Sequence, residues 1–174
     1  VVALGLLAVS SVVISSRFGG SYNGGSDSMT IQTALPLAIG SAFQEGSWIR
    51  GVCLAWIAFQ VVASYFVSGW IKIIRQEWRD GSVLRGILGF EQYGVPGIAR
   101  EAMELPAIRI LAAWAVMGFE LGFPVVFFIK GAAPVVLGMG VLFHLANVWL
   151  FGLNRFFWAW MAAYPAIWFW IPTG

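Results

Sequence analysis

The sequence predicts an all-α integral membrane protein: a polytopic helical bundle of five or six transmembrane helices with an amphipathic interfacial loop. Three observations lead there. Hydrophobic residues make up 60% of the 174 residues and charged residues only 10%, with a mean hydropathy of +0.83. Soluble domains carry about a quarter charged residues, so this chain cannot cover a water-facing surface. The apolar residues fall into runs near the roughly 20 residues that a helix needs to cross a bilayer core of about 30 Å. Alternating ten-residue strands of the barrel type are missing, and backbone in lipid must satisfy its own hydrogen bonds, which leaves helices. The length suits one domain over residues 1–174.

The segments follow in order. Residues 1–16 are uncharged but short, and the opening VVALGLLAVSSVV has neither Met nor a basic n-region. It reads as a helix caught partway, in a protein that begins upstream. RFGGSYNGGSDSMT is rich in Gly, Ser, Asn and Asp and reads as a loop; its NGG could wrap an anion, a weak signal alone. Residues 31–43 are apolar, about a dozen long by the sequence, and contain Pro36: a short span or a re-entrant piece. Residues 51–74 and 106–129 are long enough to cross. Residues 133–153 and 156–171, joined by GLNR, read as a helical hairpin.

Positive charge orients these segments. If 31–43 crosses, Arg17, Lys72, Arg75, Arg79, Arg85, Arg100, Arg109 and Arg155 share one side, against Arg50 and Lys130. If it does not, Arg17, Arg50 and Lys130 oppose the other seven. The first division is cleaner and favours six segments. Both put the loop from Lys72 to Arg109 in the cytoplasm. Within it, SVLRGILGF and GIAREAMEL have the mixed pattern of interfacial helices, either a solvated connector attracted to anionic lipid or a binding surface. Trp48, Trp70, Trp78, Trp149, Trp158, Trp160, Trp168 and Trp170 sit mostly near helix ends, as an aromatic belt does.

The remaining signals exclude more than they assign. A net charge of +2 gives no nucleic-acid footprint. Cys53, the sole cysteine, lies in an apolar run and suits packing. The chain has no GxSxG, no P-loop and no GxGxxG after a strand. Ionisable groups inside apolar segments are costly and therefore candidates. Lys72 ends its helix, where its stem could snorkel to the headgroups. Glu120 lies mid-segment and needs a pair, a proton or water. Gly118 and Gly122 flank it at GxxxG spacing, which suits close helix approach. His144, the only histidine, shares a helical face with Asn147. One histidine builds neither a bis-His haem site nor a zinc site, so no metal is expected; interhelical hydrogen bonding and axial ligation of a pigment or haem by His144 stay open.

YNGGSD (Tyr22–Asp27), SYFVSGWIKIIRQEWRDG (Ser64–Gly81) and LFHLANVWLFGLNRFFWAWMAAYP (Leu142–Pro165) together resemble the HTTM family. This membrane domain is shared by bacterial proteins and the vitamin K-dependent γ-carboxylases. The family pattern is an Asn-Gly-Gly-(x)-Asp loop, a Tyr-Phe-x-x-Gly-x-x-Lys helix end followed by Trp and Gly, and a Phe-His segment running into an aromatic hairpin. All three occur here in order, and the family's N-terminal helices are expected upstream. The resemblance implies that Lys72 matches the lysine proposed to deprotonate reduced vitamin K. It implies that His144 and Asn147 line an intramembrane cavity. The large soluble domain of the carboxylases is not among these residues, and charge counting turns Lys72 to the cytoplasm, whereas carboxylation is lumenal.

Two functions are therefore expected. One is an accessory or structural subunit packed among other membrane-protein subunits and lipids of a bacterial inner membrane. The other is an enzyme or carrier for a lipophilic quinone-type molecule or lipid, with Lys72 as base and His144, Asn147 and Glu120 lining the pocket. A pigment-complex subunit using His144 is a further alternative.

Overall fold

The computed structural model describes residues 1–18, 24–90 and 93–171. The described residues are helical, without strands: α1 (Val2–Arg17), α2 (Gly24–Gly40), α3 (Trp48–Ile73), α4 (Gln76–Arg79), α5 (Ser82–Gly89), α6 (Gly97–Glu104), α7 (Pro106–Gly122), a 3-10 turn (Phe123–Phe127), α8 (Ala133–Phe151) and α9 (Asn154–Trp170). Three are long and apolar enough to cross a membrane: Trp48–Ile73, Pro106–Phe127 and Ala133–Phe151. Helix α1 is apolar but has 16 residues, and α2 and α9 have 17 each. Compactness divides the chain into Val1–Val62 with Arg155–Gly174, and Ala63–Asn154.

In the first unit α1 packs on α2. The expected loop before Ile31 is shorter than its composition suggested, because α2 already begins at Gly24. Tyr22 and Asn23 of the YNGGSD motif lie outside the described residues. Gly and Ser are poor helix formers on their own, but here they are held by tertiary contacts: a Cβ on Gly25 would stand 3.0 Å from the Phe156 ring of α9. Asp27 in the first turn of α2 suits the positive end of the helix dipole, and it is buried and ion-paired with Arg155. Cys53 does pack: a Cβ on Gly40 would lie 3.3 Å from its Cβ. Helix α9 buries Ala159, Ala163 and Ala166, small residues at helical spacing that permit close approach. It also buries Trp160, stacked on Phe156 at 5.4 Å, so this tryptophan belongs to the core and not to an aromatic belt.

The second unit is built on the last turns of α3 and on α7 and α8. Pro106 and Pro134 stand in the first turns of α7 and α8, where a missing N–H costs nothing. The buried residues of α7 are Ala113, Met117 and Glu120; those of α8 are Ala133, Leu137, Gly140 and His144. Both sets are single stripes at helical spacing. Close approach uses a glycine other than the expected pair. A Cβ at Gly118 or Gly122 meets nothing within 4 Å, whereas one at Gly69 would stand 2.9 Å from the backbone N of Leu121. Among the described residues no helix approaches the GxxxG pair; the notch is in α3, opposite Leu121.

The two amphipathic stretches SVLRGILGF and GIAREAMEL fold as α5 and α6. Leu88, Val95 and Ala99 form a small core with Leu84, Met103, Leu150 and Phe151 around it. Asp80 accepts the Ser82 N–H at 2.9 Å, and hydrogen bonds from the Ser82 side chain and backbone hold its carboxyl below the ordinary value. Gly81 turns the chain into α5 at φ 75, against the Arg109 backbone, a conformation and a clearance that both favour glycine.

Replacing Gly69 by Ala forces a methyl into the Leu121 backbone and is expected to destabilise the protein by about 1–3 kcal/mol. Gly118→Ala enters open space and should be neutral or slightly stabilising. Thermal unfolding of both variants in the same micelle checks the contrast.

Candidate functional site

Helical spacing puts Tyr65, Ser68, Gly69 and Lys72 on one face of α3. Gly69 allows α7 to come close, which brings Glu120 within reach of Lys72. The Lys72 Nζ forms an ion pair with Glu120 Oε1 and donates to Ser68 Oγ at 2.9 Å. The Ser68 hydroxyl donates in turn to Glu120 Oε1 at 3.2 Å. Trp78 of α4 covers the ammonium, its ring centroid 5.0 Å from Nζ, a cation–π contact. The side chains are 17% and 4% exposed, so Lys72 is turned inward and does not snorkel. Glu120 Oε2 is buried and has no hydrogen-bond partner among the described residues.

Two turns before Lys72, Tyr65 Oη and His144 Nε2 lie 2.7 Å apart, joining α3 to α8. This is the interhelical hydrogen bond weighed for His144. Tyr65 stacks on Phe123 with centroids 4.0 Å apart and meets Phe119 edge-on at 5.4 Å. Asn147 continues the buried stripe of α8, and its amide donates to Phe143 O at 2.8 Å.

A cavity of about 290 Å³ lies beside the ion pair, lined by Lys72, Trp78, Val116, Phe143, Asn147 and Leu150 among others. Lys72 and Asn147, with the polar tips of Tyr93 and Trp78, are the polar side chains on an otherwise apolar wall. The structure therefore brings two of the four candidate residues to one cavity. Glu120 stands behind Lys72, and His144 behind Phe143; neither is part of the lining. The sequence reading missed Tyr65, Ser68 and Trp78. The first two were detectable as neighbours of Lys72 at seven and four residues; Trp78 lies past a helix break that periodicity does not bridge. It also missed the Asp27–Arg155 pair, whose members are 128 residues apart.

What this arrangement can do follows from its charges. An ammonium and a carboxylate in apolar surroundings form a couple that is neutral overall whichever of them holds the proton. The face of Lys72 that opens on the cavity can donate a hydrogen bond in one state and accept a proton in the other. Among the described residues no three His, Cys, Asp or Glu side chains converge on a point that could hold a metal ion.

A family model described as the HTTM domain matches residues 44–170, which hold Lys72, Glu120, His144 and Asn147. No curated protein matches the chain, nor does any solved structure.

Removing one partner of the Lys72–Glu120 pair leaves an uncompensated buried charge. Lys72→Met and Glu120→Leu alone are each expected to cost roughly 3–5 kcal/mol, while the double variant recovers most of the loss. A double-mutant cycle by thermal unfolding measures this.

Proposed function

The chain belongs to the HTTM family, and from that premise we propose that it is an integral membrane protein binding a lipophilic quinone-type molecule beside Lys72. The observation that carries this is the cavity itself: one ammonium, one amide and the polar tips of Tyr93 and Trp78 among apolar side chains. Ligand sites have this composition, a hydrophobic lining with a few placed polar groups. At about 290 Å³ the cavity is at the low end of the usual range of roughly 300–1,000 Å³, enough for a ring system whose tail stays in lipid.

In this proposal Lys72 takes a proton from a ring hydroxyl. It does so after passing its own proton to Glu120, whose buried Oε2 has no partner among the described residues. Lys72 then carries three protons again, the ligand oxygen carries the negative charge beside it, and Glu120 is the neutral acid. Asn147 orients the bound ring, and Trp78 closes the cytoplasmic end over the ammonium. Tyr65 and His144 hold α3 to α8 behind the cavity. Axial ligation of a pigment by His144 would displace its contact with Tyr65.

The accessory-subunit alternative draws support from broad apolar faces, such as Leu111 on α7 and Leu142 on α8. Lipid satisfies such faces as well as a partner subunit would, so this reading ranks second. We further propose that the chain acts as one membrane domain with six spans in a bacterial inner membrane. The charge distribution favours residues 76–105 on the cytoplasmic side.

Ligand binding can be followed by equilibrium dialysis of a short-chain naphthoquinone. Ala112→Trp, which fills the cavity, should abolish binding while leaving the thermal unfolding profile intact. Lys72→Gln should weaken the reduced, hydroxyl-bearing form about tenfold and the oxidised form less. Equal binding by all three proteins would contradict the proposal, and partner subunits retained in mild detergent would favour the accessory role. Reporter fusions within 76–105 should show a cytoplasmic location; an outside location would overturn the topology.

A further inference from the structure

A second, smaller cavity of about 90 Å³ lies between α5 and α6, lined by Arg85, Leu88, Gly89, Arg100, Met103 and Glu104. Its polar lining consists of two guanidinium groups and one carboxylate. Arg85 and Glu104 satisfy each other, with Nη2 to Oε2 at 2.9 Å and Nε to Oε1 at 3.3 Å. Their charges cancel. Among the described residues Arg100 has no ion-pair partner, and its Nε is buried with no hydrogen-bond partner. A buried guanidinium N–H without an acceptor is costly, which makes the place receptive to an anion.

Size and surroundings narrow the choice of anion. At about 90 Å³ the cavity suits a small tetrahedral anion such as a phosphate group and not a larger polar head. Arginine suits phosphate because its fork of N–H donors matches two oxygens at once. Leu88 and Met103 line this cavity and also the larger one that holds Lys72. An apolar wall is thus shared by a cationic compartment and a hydrophobic one. That pairing matches an amphiphile: a phosphate head at Arg100 with a hydrocarbon chain leaving across Leu88 and Met103. Amphipathic helices of this kind lie at the membrane interface, at the depth of lipid phosphates.

The geometry points to a phosphate-binding site between α5 and α6, with Arg100 as the principal donor, Arg85 as a second one restrained by Glu104, and the phosphate head of an amphiphile as its ligand. The site does not depend on whether the larger cavity takes a quinone. Free phosphate shares the same chemistry, and the probes below separate the two.

The test uses the purified full chain in neutral maltoside micelles, with thermal unfolding recorded against dioctanoyl phosphatidic acid, dioctanoylglycerol and inorganic phosphate. Phosphatidic acid should raise the unfolding temperature saturably, and dioctanoylglycerol should not. Arg100→Gln should weaken phosphatidic acid about tenfold. Glu104→Gln should tighten it several-fold, since it removes a nearby negative charge and frees Arg85; a merely structural ion pair would not give that sign. Arg50→Gln, the same charge change in the other unit, should bind as the unmodified protein does. Inorganic phosphate binding as tightly as phosphatidic acid supports the site with a soluble ligand, and much weaker binding supports it with a lipid head. Should Arg100→Gln fail to fold, Arg100→Lys and Glu104→Gln decide the matter. Absence of saturable binding, or unchanged affinity in the Arg100 and Glu104 variants, overturns the site.

Discussion

The ion pair between Lys72 and Glu120 constrains everything around it. Each charge alone would be intolerable in an apolar segment, so the chain must bring α3 and α7 close enough to join them. That requirement explains Gly69, the notch that admits the Leu121 backbone. It explains Ser68, which bonds to both members. It explains Trp78, which covers the ammonium where the helix ends. The four positions Tyr65, Ser68, Gly69 and Lys72 are one face of one helix, and each answers a need set by the pair or by the neighbouring Tyr65–His144 contact.

A buried ion pair is a poor device for stability, because well-packed apolar residues of similar volume do as well or better. Its presence in a mostly apolar wall therefore asks for a reason beyond holding helices together. The cavity on the open side of Lys72 supplies one. The couple is neutral as a whole, so it can sit in lipid, and it still presents a group able to exchange a proton with whatever enters.

Much of this was legible in the residues. Helices at 51–74, 106–129 and 133–153 followed from apolar run length, and their counterparts differ only at the ends. The amphipathic patterns of SVLRGILGF and GIAREAMEL correctly marked α5 and α6. Glu120 was expected to need a partner and has one, but its identity was hidden because 48 residues separate it from Lys72. Gly118 and Gly122 misled because GxxxG describes a helix that can be approached, not which helix approaches it. The start of α2 at Gly24 was lost because local propensity for Gly and Ser pointed to a loop, and the Phe156 ring and the Arg155–Asp27 pair outweigh it. The cationic compartment at Arg100 had no sequence signal, since it exists only once α5 and α6 are folded together.

The central claim is that Lys72 and Glu120 share a proton on behalf of a ligand in the adjoining cavity. Infrared difference spectroscopy tests it most directly, comparing the protein in micelles before and after addition of a reduced short-chain naphthoquinone. The carbonyl stretch of a protonated carboxylic acid should appear on addition and be absent in Glu120→Gln. No such band, or the same band in the Glu120 variant, would contradict it.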